Sequence, residues 1–180
     1  MGEEIRVLVS QQELNEKIRD LGQKISEEYK EKSMEGALHL ICVLKGGVFF
    51  TCELAKYISV PVTMDFMAVS SYGDATTSSG RVRIVKDLDE SIEQKNVLVV
   101  EDIIDSGRTL AYLLQNLKAR GPKSIRLCTL LDKPMCREVP VNVDYTGFSI
   151  PDEFVIGFGL DYKQQYRNLP YIGVLKMEQR

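Results

Sequence analysis

The chain has 180 residues, of which 44% are hydrophobic and 27% are charged, as in ordinary globular domains. Its formal net charge of −3 argues against a dedicated nucleic-acid-binding protein, because such proteins need a basic surface to neutralise phosphates. No apolar run approaches the roughly 18–20 residues that cross a bilayer, and the first residues show no secretory signal. These features favour one globular domain without a membrane partner.

The four cysteines, Cys42, Cys52, Cys128 and Cys136, form no C-x-x-C pair, and two of them lie in apolar, strand-like runs. This distribution favours small buried side chains over metal ligands or disulfides. We therefore expect a reducing, cytoplasmic setting. The single histidine, His39, lies at the start of a buried strand, which argues against catalytic histidine chemistry.

The first predicted element is an amphipathic helix that begins at Ser10. Ser10 and Glu13 form a capping-box pattern, in which each side chain satisfies a free backbone N–H group of the other residue. Apolar residues then recur at helical spacing on one face: Leu14, Ile18, Leu21, Ile25 and Tyr29. The opposite face is charged, so we expect this helix to pack against the core without a part in chemistry.

An unbroken apolar run at residues 37–44 predicts a strand that is buried on both faces. It ends in Lys45-Gly46-Gly47, and a helix follows as far as about Tyr57. A cation and two glycines between strand and helix could hold an anion, although such turns often carry glycine for structural reasons alone. The run lacks the GxxxxGK[ST] spacing of a nucleotide-triphosphate loop.

The next segment predicts two strands joined by a loop. Residues 60–67 can form a strand at a sheet edge, because Pro61 near its start cannot donate a backbone hydrogen bond. Residues 70–80 are small, polar and without periodicity, which is typical of a mobile loop. Alternation in residues 81–86 predicts the returning strand.

The most informative stretch is NVLVVEDIIDSGRT at residues 96–109. Its apolar start predicts a buried parallel strand, and Glu101 and Asp102 follow where that strand emerges. Asp105 then precedes a turn of small residues. A helix with one apolar face follows the turn and ends at Gly121-Pro122.

This turn is suited to bind an anion. Its backbone N–H groups lie at a helix N-terminus, Gly107 allows close approach, and Ser106 and Thr109 add hydroxyl donors. Three carboxylates beside such a cradle would repel an anion unless they face a magnesium ion, ribose hydroxyls or a ring that becomes positive. Acidic strand ends and Asp-Ser-Gly turns also occur without any such function.

Residues 124–131 predict another strand, which ends at Asp132-Lys133-Pro134. Lys133 therefore lies where strand ends meet a site, although an isolated lysine there is usually only solvated. The strand–helix alternation up to this point predicts an α/β fold with a doubly wound, mainly parallel sheet that binds ligands at the carboxyl ends of its strands.

The last third of the chain loses this alternation, and short strands are predicted at residues 141–148, 154–158 and 171–175. We expect them to form a small hood over the sheet. The whole chain is then a single domain, with a core at about residues 1–132 and a hood at about residues 133–180.

The string VVEDIIDSGRT at residues 99–109 closely resembles the phosphoribosyl-pyrophosphate signature of type I phosphoribosyltransferases, in particular of the hypoxanthine-guanine phosphoribosyltransferase family. Ser106 and Arg108 stand where many members have Thr and Lys, and both keep the donor chemistry. Further matching segments occur on either side of the signature: Lys45-Gly46, Ser71-Tyr72, PDEFVIG from residue 151 and LDYKQQYRNL from residue 160.

The resemblance implies the transfer of 5-phosphoribose from phosphoribosyl pyrophosphate to N9 of hypoxanthine or guanine, in purine salvage. It also implies Mg²⁺ as the cofactor and a homodimer or homotetramer as the assembly. The residues that it assigns to the 5′-phosphate are Asp105, Ser106, Gly107, Arg108 and Thr109. Asp105 is in addition the candidate for proton exchange at N7 of the purine.

The remaining roles are also carried by the resemblance. Glu101 and Asp102 match positions for the ribose hydroxyls and the metal. Lys45, Gly46 and Arg167 match positions for pyrophosphate, and a cis peptide is expected between Leu44 and Lys45.

The hood and the loop supply the other matches. Ser71 and Tyr72 match the lid that closes over pyrophosphate. Lys133 matches the cation that contacts the 6-oxo group, Phe154 the aromatic ring that stacks on the base, and the Val155 backbone its edge contact. Asp161 matches a position at the purine. It also matches a metal-associated carboxylate, as Glu101 and Asp102 do.

Two alternatives remain open from the sequence. One is a phosphoribosyltransferase with another base preference, such as xanthine, which differs from guanine at the 2-position. The other is a transcriptional regulator that keeps the fold and binds nucleic acid. The acidic charge balance and the intact Asp105 argue against the regulator.

Overall fold

The computed structural model describes residues 4–31, 36–71 and 82–176, with the exception of the Ser71 side chain. Within these ranges the helices and strands are, in order, β1 Glu4–Val9, α1 Gln11–Glu31, β2 Leu38–Leu44, α2 Gly47–Tyr57, β3 Val62–Ser71, β4 Val82–Lys86, β5 Asn96–Ile104, α3 Arg108–Lys118, β6 Ser124–Asp132, β7 Tyr145–Ser149, β8 Val155–Ile156 and β9 Ile172–Lys176. A 3-10 turn, Pro134–Cys136, follows β6.

The main sheet has six strands in the order β4-β3-β2-β5-β6-β7. Every neighbouring pair is parallel except β3 and β4, which pair antiparallel. Successive residues of a strand face opposite sides, so Leu40 of β2 packs with α1 and α2 while Ile41 packs with α3. Helices on both faces of a mainly parallel sheet confirm the predicted fold class.

The predicted first helix is confirmed in detail. The Glu13 carboxylate accepts the backbone N–H and the hydroxyl of Ser10 at 2.8 and 2.6 Å, and the Ser10 hydroxyl accepts the Glu13 N–H at 3.3 Å. The five apolar residues of its predicted inner face are buried. Among the described helices, none is long and apolar enough to span a membrane.

A second sheet has three antiparallel strands in the order β1-β9-β8. The sequence did not predict β1, because its partner β9 lies at the other end of the chain and leaves no local signal. Conversely, β7 was predicted in the hood but pairs with β6 in the main sheet. The two sheets therefore do not separate the chain at residue 132, where the sequence placed the boundary between core and hood. That boundary stays a prediction.

The third strand also differs from the sequence prediction. β3 lies inside the sheet instead of at its edge, between β2 and β4. However, β4 pairs only with Ala68–Ser71, so among the described strands the first half of β3 has a neighbour on one side alone. Pro61, which has no N–H to donate, is tolerated just before this half. Cys42 and Cys128 are buried as predicted, whereas Cys52 is exposed and Cys136 is only partly buried, and all four cysteines are free.

Candidate active site

The parallel strands β2, β5 and β6 bring their carboxyl ends to one edge of the main sheet. A cavity of about 330 Å³ lies at this edge. Predicted site residues from three separate segments line it: Lys45, Gly46, Glu101, Asp102, Asp105, Ser106, Gly107, Thr109, Asp161 and Arg167. The fold thus gathers groups that are far apart in the sequence.

The turn between β5 and α3 forms one end of the cavity. Gly107 has φ +82°, and a Cβ added there would lie 2.6 Å from the carbonyl oxygen of Val139, so glycine is required for both reasons. Gly107 also provides no capping side chain for α3, which leaves amide donors at this N-terminus available to an anion. The Arg108 side chain points elsewhere, because its Nε donates to Glu138 at 2.6 Å.

Residues 137–139 brace this turn from behind. Nη1 of Arg137 donates to the carbonyl oxygen of Asp105 at 2.7 Å, and its Nη2 bonds to the Asp132 carboxylate. The N–H groups of Glu138 and Val139 donate to the Ser106 carbonyl at 2.9 and 3.0 Å. Sequence reasoning missed this brace, since an arginine five residues after the end of a strand has no distinctive pattern.

Glu101 and Asp102 also line the cavity and are 9% and 8% exposed. Burial, together with the neighbouring Asp102 carboxylate, raises the pKa of Glu101 well above its usual value. Gly46 packs directly on this pair, because a Cβ at Gly46 would collide with the Asp102 carboxylate. The turn after β2 and the end of β5 therefore form one continuous wall.

A buried pair of carboxylates is a suitable site for a divalent cation. Mg²⁺ is usually bound by one or two protein carboxylates together with water and substrate phosphates, so Glu101 and Asp102 fit its donor requirements. Within the described ranges, no group of three or more His, Cys, Asp or Glu side chains could hold a metal alone. This donor set suits an ion that is shared with a phosphorylated substrate.

The far end of the cavity carries two cations. The peptide between Leu44 and Lys45 is cis, as the family resemblance implied. Arg167 pairs with the Asp161 carboxylate at 2.7 Å and donates through Nη1 to the carbonyl oxygen of Gly159 at 2.7 Å. Lys45 and Arg167 both donate to Oε1 of Gln164, at 3.2 and 3.3 Å. The sequence analysis did not single out Gln164.

Three of the four predicted purine residues, Lys133, Phe154 and Val155, are not among the described residues that line this cavity, whereas Asp161 does line it. Lys133 is only 7% exposed; its N–H donates to the Ile104 carbonyl at 2.9 Å and its Nζ to Asp152 at 3.3 Å. Phe154 is 43% exposed and meets Tyr162 edge-on, with ring centroids 5.7 Å apart. Such exposure is unusual for an aromatic ring in a core position, and Val155 beside it is buried in β8.

The predicted lid cannot be placed in full. Ser71 ends β3, where it pairs with Val82 of β4. Tyr72 and residues 73–80 lie outside the described residues, so the lid assignment stays a prediction.

Comparison with known proteins decides the family. The phosphoribosyl transferase domain matches residues 8–163. This chain belongs to the phosphoribosyltransferase family. Two curated relatives are a hypoxanthine phosphoribosyltransferase of Buchnera aphidicola, 53% identical over 169 residues with 94% of each chain covered, and a hypoxanthine-guanine phosphoribosyltransferase of Bacillus subtilis, 50% identical with 95% and 93% covered.

Solved phosphoribosyltransferase structures agree with the fold. The hypoxanthine phosphoribosyltransferase of Trypanosoma cruzi in complex with the product IMP has a TM-score of 0.90 at 43% identity, with 98% of this chain and 96% of that chain covered. Some relatives are much longer: this chain spans 26% of a bifunctional TilS/HprT protein of Listeria monocytogenes, with 55% identity.

Proposed function

We propose that this phosphoribosyltransferase is a purine salvage enzyme. It transfers 5-phosphoribose from phosphoribosyl pyrophosphate to N9 of hypoxanthine or guanine and releases pyrophosphate with IMP or GMP. The observation that carries this proposal is one cavity that gathers an amide-lined turn, a buried carboxylate pair and the two cations Lys45 and Arg167. These three sets of groups suit a 5-phosphate, a ribose and a pyrophosphate, respectively.

The turn and the carboxylates bind the donor sugar. Backbone N–H groups of residues 106–109 hold the 5′-phosphate at the N-terminus of α3, with hydroxyl groups of Ser106 and Thr109 as further donors. Glu101 and Asp102 accept the ribose hydroxyls and hold Mg²⁺, with Asp161 as a further metal-associated carboxylate. When bound, Mg²⁺ neutralises charge on the pyrophosphate group.

The far end of the cavity binds the leaving group. Lys45 and Arg167 place positive charge where pyrophosphate departs, and the backbone of Gly46 lies beside them. Ser71 and Tyr72 close over this end and exclude water, which would otherwise attack the cation-like sugar carbon. This division of roles explains why cations and carboxylates line the same pocket.

Asp105 and the hood act on the base. Asp105 takes the proton from N7, which increases the electron density that N9 offers to the sugar carbon. Lys133 donates to the 6-oxo group, Phe154 stacks on the ring, and the Val155 backbone contacts its edge. An ammonium group can only donate, so it pairs with an oxo acceptor and repels the 6-amino group of adenine.

A panel of bases tests this function. Purified enzyme is incubated with phosphoribosyl pyrophosphate, Mg²⁺ and either hypoxanthine, guanine, xanthine or adenine, and nucleotide products are separated by chromatography. We expect IMP and GMP to form and AMP not to form. Turnover of xanthine alone would support the other base preference, and binding of RNA or DNA without any turnover would support the regulator.

We also propose a cytoplasmic homodimer or homotetramer. The four free cysteines suit a reducing compartment. In the T. cruzi relative, the C-terminal region has a role in oligomeric state and enzymatic activity. Light scattering after size exclusion should give two or four times the protomer mass of 20.4 kDa, and a mass of one protomer would contradict the assembly.

A further inference from the structure

Gln164 lies in an unusual turn at the pyrophosphate end of the cavity. The turn is closed by reciprocal backbone hydrogen bonds between Tyr162 and Gln165, at 3.1 and 2.9 Å. Its two central residues, Lys163 and Gln164, have φ values of +51° and +66°. Left-handed conformations are unfavourable for residues with a side chain, and turns of this shape usually contain Asn or Gly. A non-glycine residue held there suggests a function for its side chain.

The Gln164 side chain places one oxygen between the two cations. Oε1 accepts from Nζ of Lys45 at 3.2 Å and from Nη2 of Arg167 at 3.3 Å. An amide oxygen has two lone pairs, so one atom can accept both hydrogen bonds. The Gln164 backbone N–H donates to Oδ2 of Asp161 at 2.8 Å, which fixes the turn against the same cluster.

Among these acceptors, the Gln164 amide is the one that is easiest to replace. Arg167 also binds the Asp161 carboxylate and the Gly159 carbonyl, both at 2.7 Å and therefore closer. A phosphoryl oxygen carries negative charge and accepts hydrogen bonds from Lys and Arg more strongly than a neutral amide does. A pyrophosphate that enters the cavity would therefore displace the amide and leave the other contacts of Arg167 in place.

We propose that Gln164 is a replaceable acceptor that occupies the position of a pyrophosphate oxygen between Lys45 and Arg167 in the free enzyme. The proposal rests on the proposed function, which assigns these two cations to pyrophosphate. The amide competes with pyrophosphate for the two cations and so speeds the release of pyrophosphate after the reaction.

Product inhibition by pyrophosphate tests the proposal. In the forward reaction with hypoxanthine, Gln164→Ala removes the competing oxygen, so the inhibition constant of pyrophosphate should fall about three- to ten-fold, the size of one hydrogen bond. Gln164→Glu puts a carboxylate between the cations and should raise that constant at least about ten-fold, since charged hydrogen bonds are stronger. Gln165→Ala in the same turn is the matched control and should leave it unchanged.

Gln164→Gly separates the loss of the side chain from strain in the backbone, because glycine suits the left-handed conformation. Like Gln164→Ala, it should lower the inhibition constant of pyrophosphate. The proposal is overturned if Gln164→Ala, or Gln164→Gly should alanine not fold, weakens pyrophosphate inhibition or leaves it unchanged. If the wild-type enzyme neither turns over hypoxanthine nor responds to pyrophosphate, the proposed function fails, and this proposal fails with it.

Discussion

At the scale of single residues, three carboxylates from one short stretch have different surroundings. Glu101 and Asp102 are buried beside each other, whereas Asp105 is exposed on the turn that follows. The Asp105 backbone is held by Arg137, and its exposed carboxylate has the Cys136 thiol as a neighbour, so a substrate can meet it at a fixed position. This difference supports separate roles, with the buried pair for sugar and metal and Asp105 for the proton.

Asp105→Asn tests the proton role directly. The amide keeps the size of the side chain but cannot take a proton from N7, so turnover should fall about 10²–10⁴-fold, the usual contribution of a general acid or base. Steady-state kinetics with hypoxanthine measure the loss, and the KM for phosphoribosyl pyrophosphate serves as the control. Near wild-type turnover with unchanged donor affinity would show that another group moves the proton.

Glu101→Gln tests whether the burial of two neighbouring carboxylates lowers the stability of the folded protein. Because the pKa of Glu101 is raised in the folded protein, its protonated form is favoured there. Its contribution to stability is fully present below the ordinary pKa of 4.5 and is lost as the pH rises through the raised value. Glutamine stays neutral, so the variant should unfold at a higher temperature than wild type at pH 8, by about 2–4 °C for each kcal/mol gained.

The same two proteins should have similar unfolding temperatures near pH 4, where Glu101 is protonated in both the folded and unfolded wild type. Thermal unfolding followed by circular dichroism at both pH values measures the difference. A wild type that is the more stable protein at pH 8 would contradict the burial argument. Donor affinity of the variant should fall, because glutamine is a weaker ligand for Mg²⁺ than a carboxylate.

At the scale of elements, the junction of β5 and α3 depends on one backbone conformation. Gly107 turns the chain from the strand into the helix with a left-handed φ, and the segment after β6 packs against it. Any side chain at this position would push Val139 away and would move the amides of the cradle. The element boundary and the anion site are therefore the same structural feature.

Gly107→Ala should lower stability by about 1–3 kcal/mol through backbone strain and should also raise the KM for phosphoribosyl pyrophosphate. Gly121→Ala is a matched control: Gly121 also has a left-handed φ of +70°, but the nearest atom to an added Cβ is Glu93 Cγ at 3.7 Å. The control should lose stability and keep its KM. Equal KM values in all three proteins would show that the cradle does not bind the donor.

At the scale of the whole molecule, local patterns predicted the main sheet and the ends of its strands. The capping box, the apolar run of β5 and the Gly107 turn each contain their signal within a few residues. Parallel strands then bring their carboxyl ends to one edge, so Lys45, Glu101 and Asp105 could be expected to meet. Those local rules account for the part of the site that lies on β2 and β5.

Other parts of the structure have no local signal. β1 is a strand only because β9 offers it an edge, and these partners are separated by most of the chain. Arg137 contacts Asp105, 32 residues earlier in the chain, and Gln164 contacts Lys45, 119 residues earlier. Such residues depend on tertiary structure, and a single sequence does not identify them.

The central claim is that a 6-oxopurine accepts the ribose. Lys133 is the residue to which we assign this preference. Its side chain is only 9% exposed at the end of β6, and in the proposed complex a 6-amino group would meet its ammonium donor without an acceptor. The most direct measurement is the ratio of kcat/KM for hypoxanthine to that for adenine. We predict a ratio of at least about 10⁴, as expected where a site must leave buried polar groups unpaired. Turnover of adenine within about ten-fold of hypoxanthine, a difference of only ~1.4 kcal/mol, would contradict the account.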